Sequence, residues 1–127
     1  MKYLLDTQAV IWYYEISPKL PKSIEDLIDD ASIDVYICSA SLWEIAIKTN
    51  LGKLSLKLPL DDLLYSIRNR DFHILHIEDE YLNGLMKLPY IHKDPFDRLI
   101  ISTALAEDLT IITIDESIRK YDVPWVW

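Results

Sequence analysis

The sequence predicts an α/β sandwich around a mostly parallel sheet, and three observations carry that prediction. Short apolar runs alternate with longer stretches of helical periodicity, the pattern of successive βαβ units. The chain has 127 residues, half of them hydrophobic, which fits one domain spanning residues 1–127 with its own core. Acidic residues follow two of the apolar runs immediately, at the strand ends where an open parallel sheet places its chemistry.

Four runs read as strands: Lys2–Leu5, Asp34–Cys38, Phe72–Ile77 and Thr110–Ile114, with Trp125, Val126 and Trp127 available for a short last one. Pro21, at an expected first helical position, opens a helix with Ile24, Leu27 and Ile28 at helical spacing. A second helix runs from about Ser41 to Asn50, with Leu42, Ile45, Ala46 and Thr49 on one face and Gly52 just past its end. Leu60–Arg70 is a third and Glu78–Lys87 a weaker fourth. The stretch from Pro95 to about Asp108 is apolar almost all round, so it should be a helix buried against the sheet. Gly52 and Gly84 are the only glycines, too few for a phosphate-cradling loop.

Thirteen basic against 21 acidic side chains give a net charge of −8, which excludes a simple nucleic-acid coat. The charge is uneven. Residues 48–98 carry eight basic and eight acidic groups, so any phosphate-facing surface must come mainly from Lys48, Lys53, Lys57, Arg68, Arg70, Lys93 and Arg98. The longest uncharged run, Val35 to Trp43, has nine residues, far below the roughly 18 that a helix needs to cross lipid. Asp6 cuts the first apolar stretch after Tyr3-Leu4-Leu5, so no secretory signal is expected. Cys38 is the single cysteine, which leaves no internal disulfide and no thiolate zinc cage; it ends an apolar run and reads as a small buried hydrophobe. The expected compartment is a reducing cytoplasm.

Asp6 follows the first strand and Asp115 the last core strand. Glu44 lies in the first turns of the helix after the second strand, and Asp97 in the first turn of the apolar helix. All four belong at one edge of the sheet. Each also has a purely architectural explanation: Asp6 and Asp115 as helix caps, Ser41-Leu42-Trp43-Glu44 as a capping box with Glu44 also spaced to pair with Lys48, and Asp94-Pro95-Phe96-Asp97 as an N-cap, a first-position proline and a reciprocal carboxylate. Four carboxylates at one edge repel, however, and need a cation or raised pKa values to coexist. With no His or Cys close by in sequence counted as a ligand, oxygen donors suit Mg²⁺ or Mn²⁺, and the chemistry such a site performs best is displacement at phosphorus by a metal-activated water.

The strings Leu4-Leu5-Asp6-Thr7, Ser39-Ala40-Ser41-Leu42-Trp43-Glu44-Ile45-Ala46-Ile47-Lys48, Gly52-Lys53-Leu54, His92-Lys93-Asp94-Pro95-Phe96-Asp97-Arg98-Leu99-Ile100-Ile101 and Thr113-Ile114-Asp115 closely resemble the PIN-domain toxins of the VapC family, in order along the whole chain. The resemblance implies a three-layer α/β/α sandwich and a Mg²⁺- or Mn²⁺-dependent endoribonuclease, the toxin half of a toxin–antitoxin pair. It carries catalytic roles to Asp6, Glu44, Asp97 and Asp115. Asp6 and Asp97 are the principal metal ligands, Asp115 completes the site directly or through water, and Glu44 orients water or helps to hold a metal. Thr113 and Asp94 are supporting residues; Arg98 and Lys48 are candidate contacts to substrate phosphate. Implied partners are RNA, a second copy of the chain, and a VapB-like antitoxin with a basic toxin-binding segment that covers Trp12, Tyr13 or Trp43. Position 8 departs from the commonest pattern, with Gln8 where many relatives carry His.

Two rival readings remain. An aspartyl-phosphate phosphatase also places an Asp after its first strand but usually needs a second Asp two residues later, where this chain has Gln8. A binding module without catalysis would keep the scaffold alone, yet all four acids are present. His92 is assigned a loop hydrogen bond, and the aromatic residues 12–14 a packing role.

Overall fold

A computed structural model describes residues 1–70 and 72–127. Chain order is β1 (Lys2–Leu5), α1 (Thr7–Tyr14), α2 (Lys22–Asp29), β2 (Asp34–Cys38), α3 (Ser39–Asn50), α4 (Leu60–Arg68), β3 (His73–Leu75), α5 (Asp79–Lys87), α6 (Pro95–Glu107), β4 (Thr110–Ile112), α7 (Glu116–Arg119) and β5 (Trp125–Val126). The five strands form one sheet in the order β3-β2-β1-β4-β5, and every pairing is parallel.

Alternation along the strands produces the layers, because successive side chains point to opposite faces. Tyr3, Leu5, Val35, Ile37 and Ile112 enter one buried cluster with residues of α1, α2 and α4. Leu4, Cys38 and Ile111 enter the other, against Leu99, Ile100, Ile101 and Ala104 of α6. The expected three-layer sandwich is therefore the observed one, and Cys38 is buried as anticipated. Gly84 of α5 sits so close to α6 that an added Cβ would lie 2.6 Å from Ser102 Oγ, which fixes how tightly these two helices pack.

Local differences from the sequence reading have identifiable causes. The third strand keeps only His73–Leu75 of Phe72–Ile77; Leu75 pairs with Cys38, the last residue of β2, so β2 offers His76 and Ile77 nothing to pair with. Pro21 is the N-cap of α2 rather than its first residue. Helix α3 begins at Ser39, so Ser41 is already inside it, and no capping box forms with Glu44. Gly52, at φ 71°, takes the left-handed turn that ends α3, and the Lys53 and Leu54 amides fold back onto the Lys48 carbonyl. Periodicity missed helices α1 and α7: all eight residues of α1 are uncharged, so no polar face marks it, and α7 has only four residues.

Candidate functional site

The strand order reverses at β1, which has β2 on one side and β4 on the other, and a crevice is expected beyond the carboxyl ends at such a point. Leu5 is in register with Ile112, so the residues just past β1 and β4 must meet. The Asp6 amide donates to the Ile112 carbonyl at 3.2 Å. The Thr113 hydroxyl donates to Asp6 Oδ2 at 2.5 Å and accepts the Asp115 amide at 2.9 Å, so one buried hydroxyl links the two acids.

A cleft of about 310 Å³ opens here, lined by Asp6, Glu44, Asp97 and Asp115 together with Gln8, Lys48 and Lys53. The four acids arrive from four separate segments. Capping and clustering coexist. Asp6 Oδ1 caps α1 through the Ala9 amide at 2.8 Å, and Asp115 Oδ1 caps α7 through the Ile118 amide at 2.9 Å. Asp94 Oδ1 accepts the Phe96 and Asp97 amides at 2.8 and 3.0 Å, so it caps α6 and sets the direction in which that helix carries Asp97.

Asp97 does not reach back to complete a reciprocal cap. Its Oδ2 lies 2.7 Å from His92 Nε2, in a pair whose side chains are only 20% and 17% exposed. His92, Asp97 and Asp115 each offer a ligand atom within 4.8 Å of the others. The loop hydrogen bond expected of His92 is thus made to a site carboxylate, which places an imidazole beside the acids. The signal was present in His92 lying five residues before Asp97. It could not be read without knowing how the intervening loop folds.

Glu44 is held on both oxygens: Thr7 Oγ1 donates to Oε1 at 2.6 Å and Lys48 Nζ to Oε2 at 2.5 Å. Thr7 is a site residue that the sequence reading quoted but gave no role. Arg98 is a correction. Its side chain is buried, donates to the Pro89 and Leu85 carbonyls and the Tyr121 hydroxyl, and does not line the acidic cleft. Lys48 stays on the cleft, paired to Glu44, while Lys53 lines it without a carboxylate partner among the described residues. Trp12, Tyr13 and Tyr14 pack against the core, and Tyr13 donates to Asp29, leaving Trp43 as the exposed aromatic of that group.

Burial pushes the Asp6 carboxyl up to about 7 against the hydrogen bonds from Thr113 and Ala9, and Asp97 and Asp115 raise it further. Asp97 is pushed up to about 6, again chiefly by burial, with the His92 contact opposing and Asp94, Glu44 and Asp115 adding repulsion. Lys48 is raised by its hydrogen bond to Glu44. Two protonation-prone carboxyls beside a third acid and an imidazole fit a divalent cation, whose charge would remove the penalty that lifts them. An oxygen donor set suits Mg²⁺ or Mn²⁺.

The family model of the PIN domain matches residues 3–124, and the chain belongs to that family. No curated protein matches it at a significant level. Among solved structures it is similar to VapBC2 from Rickettsia felis bound to a promoter DNA fragment, with 20% identity, a TM-score of 0.74, and 100% of this chain and 99% of that chain covered. FitAcB from Neisseria gonorrhoeae gives 21% identity and a TM-score of 0.69 over 98% and 96% of the two chains. DNA-bound VapBC from Salmonella typhimurium gives 16% and 0.71 over 99% and 97%. These likenesses establish the fold. Among the described residues no helix is long and apolar enough to cross a membrane.

Proposed function

We propose that this chain is a metal-dependent endoribonuclease and the toxin half of a toxin–antitoxin pair. The observation that carries the reading is the convergence of Asp6, Glu44, Asp97 and Asp115 on one cleft at the reversal point of the sheet. Asp6, Asp97 and Asp115 would hold Mg²⁺ or Mn²⁺. When bound, the cation supplies polarisation of a phosphate oxygen and a water acidified toward neutrality. Thr113 orients Asp6 and ties it to Asp115. Glu44, fixed by Thr7 and Lys48, is the remaining carboxylate able to orient water or accept its proton. Lys48 and Lys53 offset the phosphate charge that a −8 protein would otherwise repel.

The test is cleavage of RNA with Mg²⁺ or Mn²⁺, with and without chelator, beside single-stranded DNA of the same sequence. Cleavage of RNA that chelator abolishes is expected. Cleavage that persists in chelator, or none in any cation, overturns the reading.

The partner reading is supported by the solved relatives, which are VapBC and FitA–FitB assemblies. The proposed antitoxin carries a basic segment whose Arg or Lys bonds to the cleft carboxylates and competes with the cation. A homodimer acting in the cytoplasm completes the proposal. Weaker inhibition on Mn²⁺ addition checks the competition.

A further inference from the structure

Arg98 follows Asp97 directly, yet its guanidinium turns inward, and the three acceptors it meets among the described residues include no carboxylate. Nη1 donates to the Pro89 carbonyl and the Tyr121 hydroxyl, both at 3.1 Å, and Nη2 donates to the Leu85 carbonyl at 3.1 Å. The Tyr90 ring lies over it, 4.6 Å from centroid to guanidinium carbon. A buried charge placed among carbonyls is costly, so the arrangement has to be held by everything around it.

What it holds is the segment joining α5 to α6. Tyr121, itself buried between α7 and β5, donates its hydroxyl proton to the Pro89 carbonyl at 2.8 Å. The same oxygen accepts the Ile91 amide at 3.2 Å and the His92 amide at 2.9 Å. Three backbone groups within four residues of an otherwise irregular loop are thus fastened to one phenol, and that phenol to the residue after Asp97. The last residue so fastened is the one whose ring reaches Asp97 Oδ2.

We infer that His92 is a positioning residue for Asp97, delivered by the Arg98–Tyr121 node, and that it sets the affinity of the cleft for a divalent cation. A ring N–H on Oδ2 fixes the rotation of the carboxylate and leaves Oδ1 as the oxygen with no side-chain partner among the described residues. Hydrogen bonds of this kind to ligating groups are commonly worth about 10- to 100-fold in metal affinity. The inference rests on the proposed cation site, and its test is independent of RNA cleavage.

The measurement is Mn²⁺ binding to the intact protein without RNA, by calorimetry or by the rise in melting temperature, for the parent, His92→Ala, His92→Gln, Tyr121→Phe and the His92→Ala/Tyr121→Phe pair. His92→Ala should weaken binding about tenfold or more. His92→Gln, which keeps a donor near the Nε2 position, should recover most of the loss. Tyr121→Phe should weaken binding in the same direction, and the double variant should be little worse than His92→Ala, because both changes break one chain of contacts. If Mn²⁺ binds the parent and the two His92 variants equally, or if His92→Gln falls as far as His92→Ala, the positioning role is overturned while the nuclease reading stands. The His92 arms decide this even if Tyr121→Phe does not fold. If Mn²⁺ fails to bind the parent, the cation site itself is wrong.

Discussion

Among the described residues two histidine–aspartate pairs lie at opposite ends of the sheet, and they differ in almost everything except composition. At the amino-terminal edge, His73 on β3 lies 3.4 Å from Asp34 at the start of β2, with side chains 50% and 57% exposed. At the carboxyl-terminal edge, His92 and Asp97 are 2.7 Å apart and mostly buried. Solvent screens the first pair, and exposed pairs of this sort contribute about 0–1 kcal/mol. The second stands in a cleft with three further carboxylates, where burial has already displaced the Asp97 carboxyl. Identical residue types mark a candidate site in one place and ordinary surface in the other, and the deciding variable is access to water.

The largest expected effect comes from breaking the buried pair. Asp97→Asn keeps the side-chain volume and removes the charge, and Asp94 continues to cap α6. RNA cleavage should fall by at least about 100-fold, as losses of roughly 3 kcal/mol of transition-state stabilisation do. Asp34→Asn, its counterpart at the other edge, should leave the rate unchanged. Equal losses in both variants would mean that burial does not distinguish the two pairs.

The second prediction concerns pH in the absence of divalent cation. Asp6 and Asp97 titrate near 7 and 6 in the folded chain against about 3.8 in the unfolded one, so between these values the folded state holds protons that the unfolded state has shed. Their contribution is most favourable below about pH 4 and is lost as pH rises through 6 and 7. From pH 5.5 to 7.5 the loss should be on the order of 2 kcal/mol, seen as a fall of several degrees in Tm. Saturating Mn²⁺ should flatten the dependence. A Tm that rises over this interval without cation would contradict the assignment.

Thr113→Val tests the link between the two strand-end acids. It removes the donor to Asp6 and the acceptor of the Asp115 amide while preserving shape. Stability should drop by about 1–3 kcal/mol in chemical denaturation, with cleavage reduced about tenfold. The smallest effect should come from His73→Ala, within about 0.5 kcal/mol of the parent, with no change in cation affinity.

The contrast also marks what was legible in the sequence. Asp6 and Asp115 could be placed because each follows its strand directly, and a strand end in a parallel sheet has a defined edge. Asp97 could be placed because Pro95 and Asp94 mark a helix start. The orientation of Arg98 was not legible, since it depends on Tyr121, 23 residues further on, on the Leu85 carbonyl near the end of α5 and on the Pro89 carbonyl of a loop without periodic pattern. His92 was undervalued for the same reason. Ser41 was misread because a capping box and the second turn of a longer helix share one spacing. Helix α1 escaped because an uncharged helix between core and neighbours carries no amphipathic signature.

The contact between Thr113 and Asp6 spans 107 positions along the chain. Strands β1, β2 and β3 pair in sequence order and can associate while the rest is unformed; β4 must come back to the far side of β1. Closing so long a loop is entropically expensive and is rewarded only when β4 docks. The cleft therefore has no half-built form. A chain cut before β4 retains Asp6, Glu44 and Asp97 but loses Asp115 and the Thr113 hydroxyl that ties it to Asp6. The cleft is complete only where β4 lies beside β1, so removing the chain from β4 onward should abolish whatever chemistry the cleft performs.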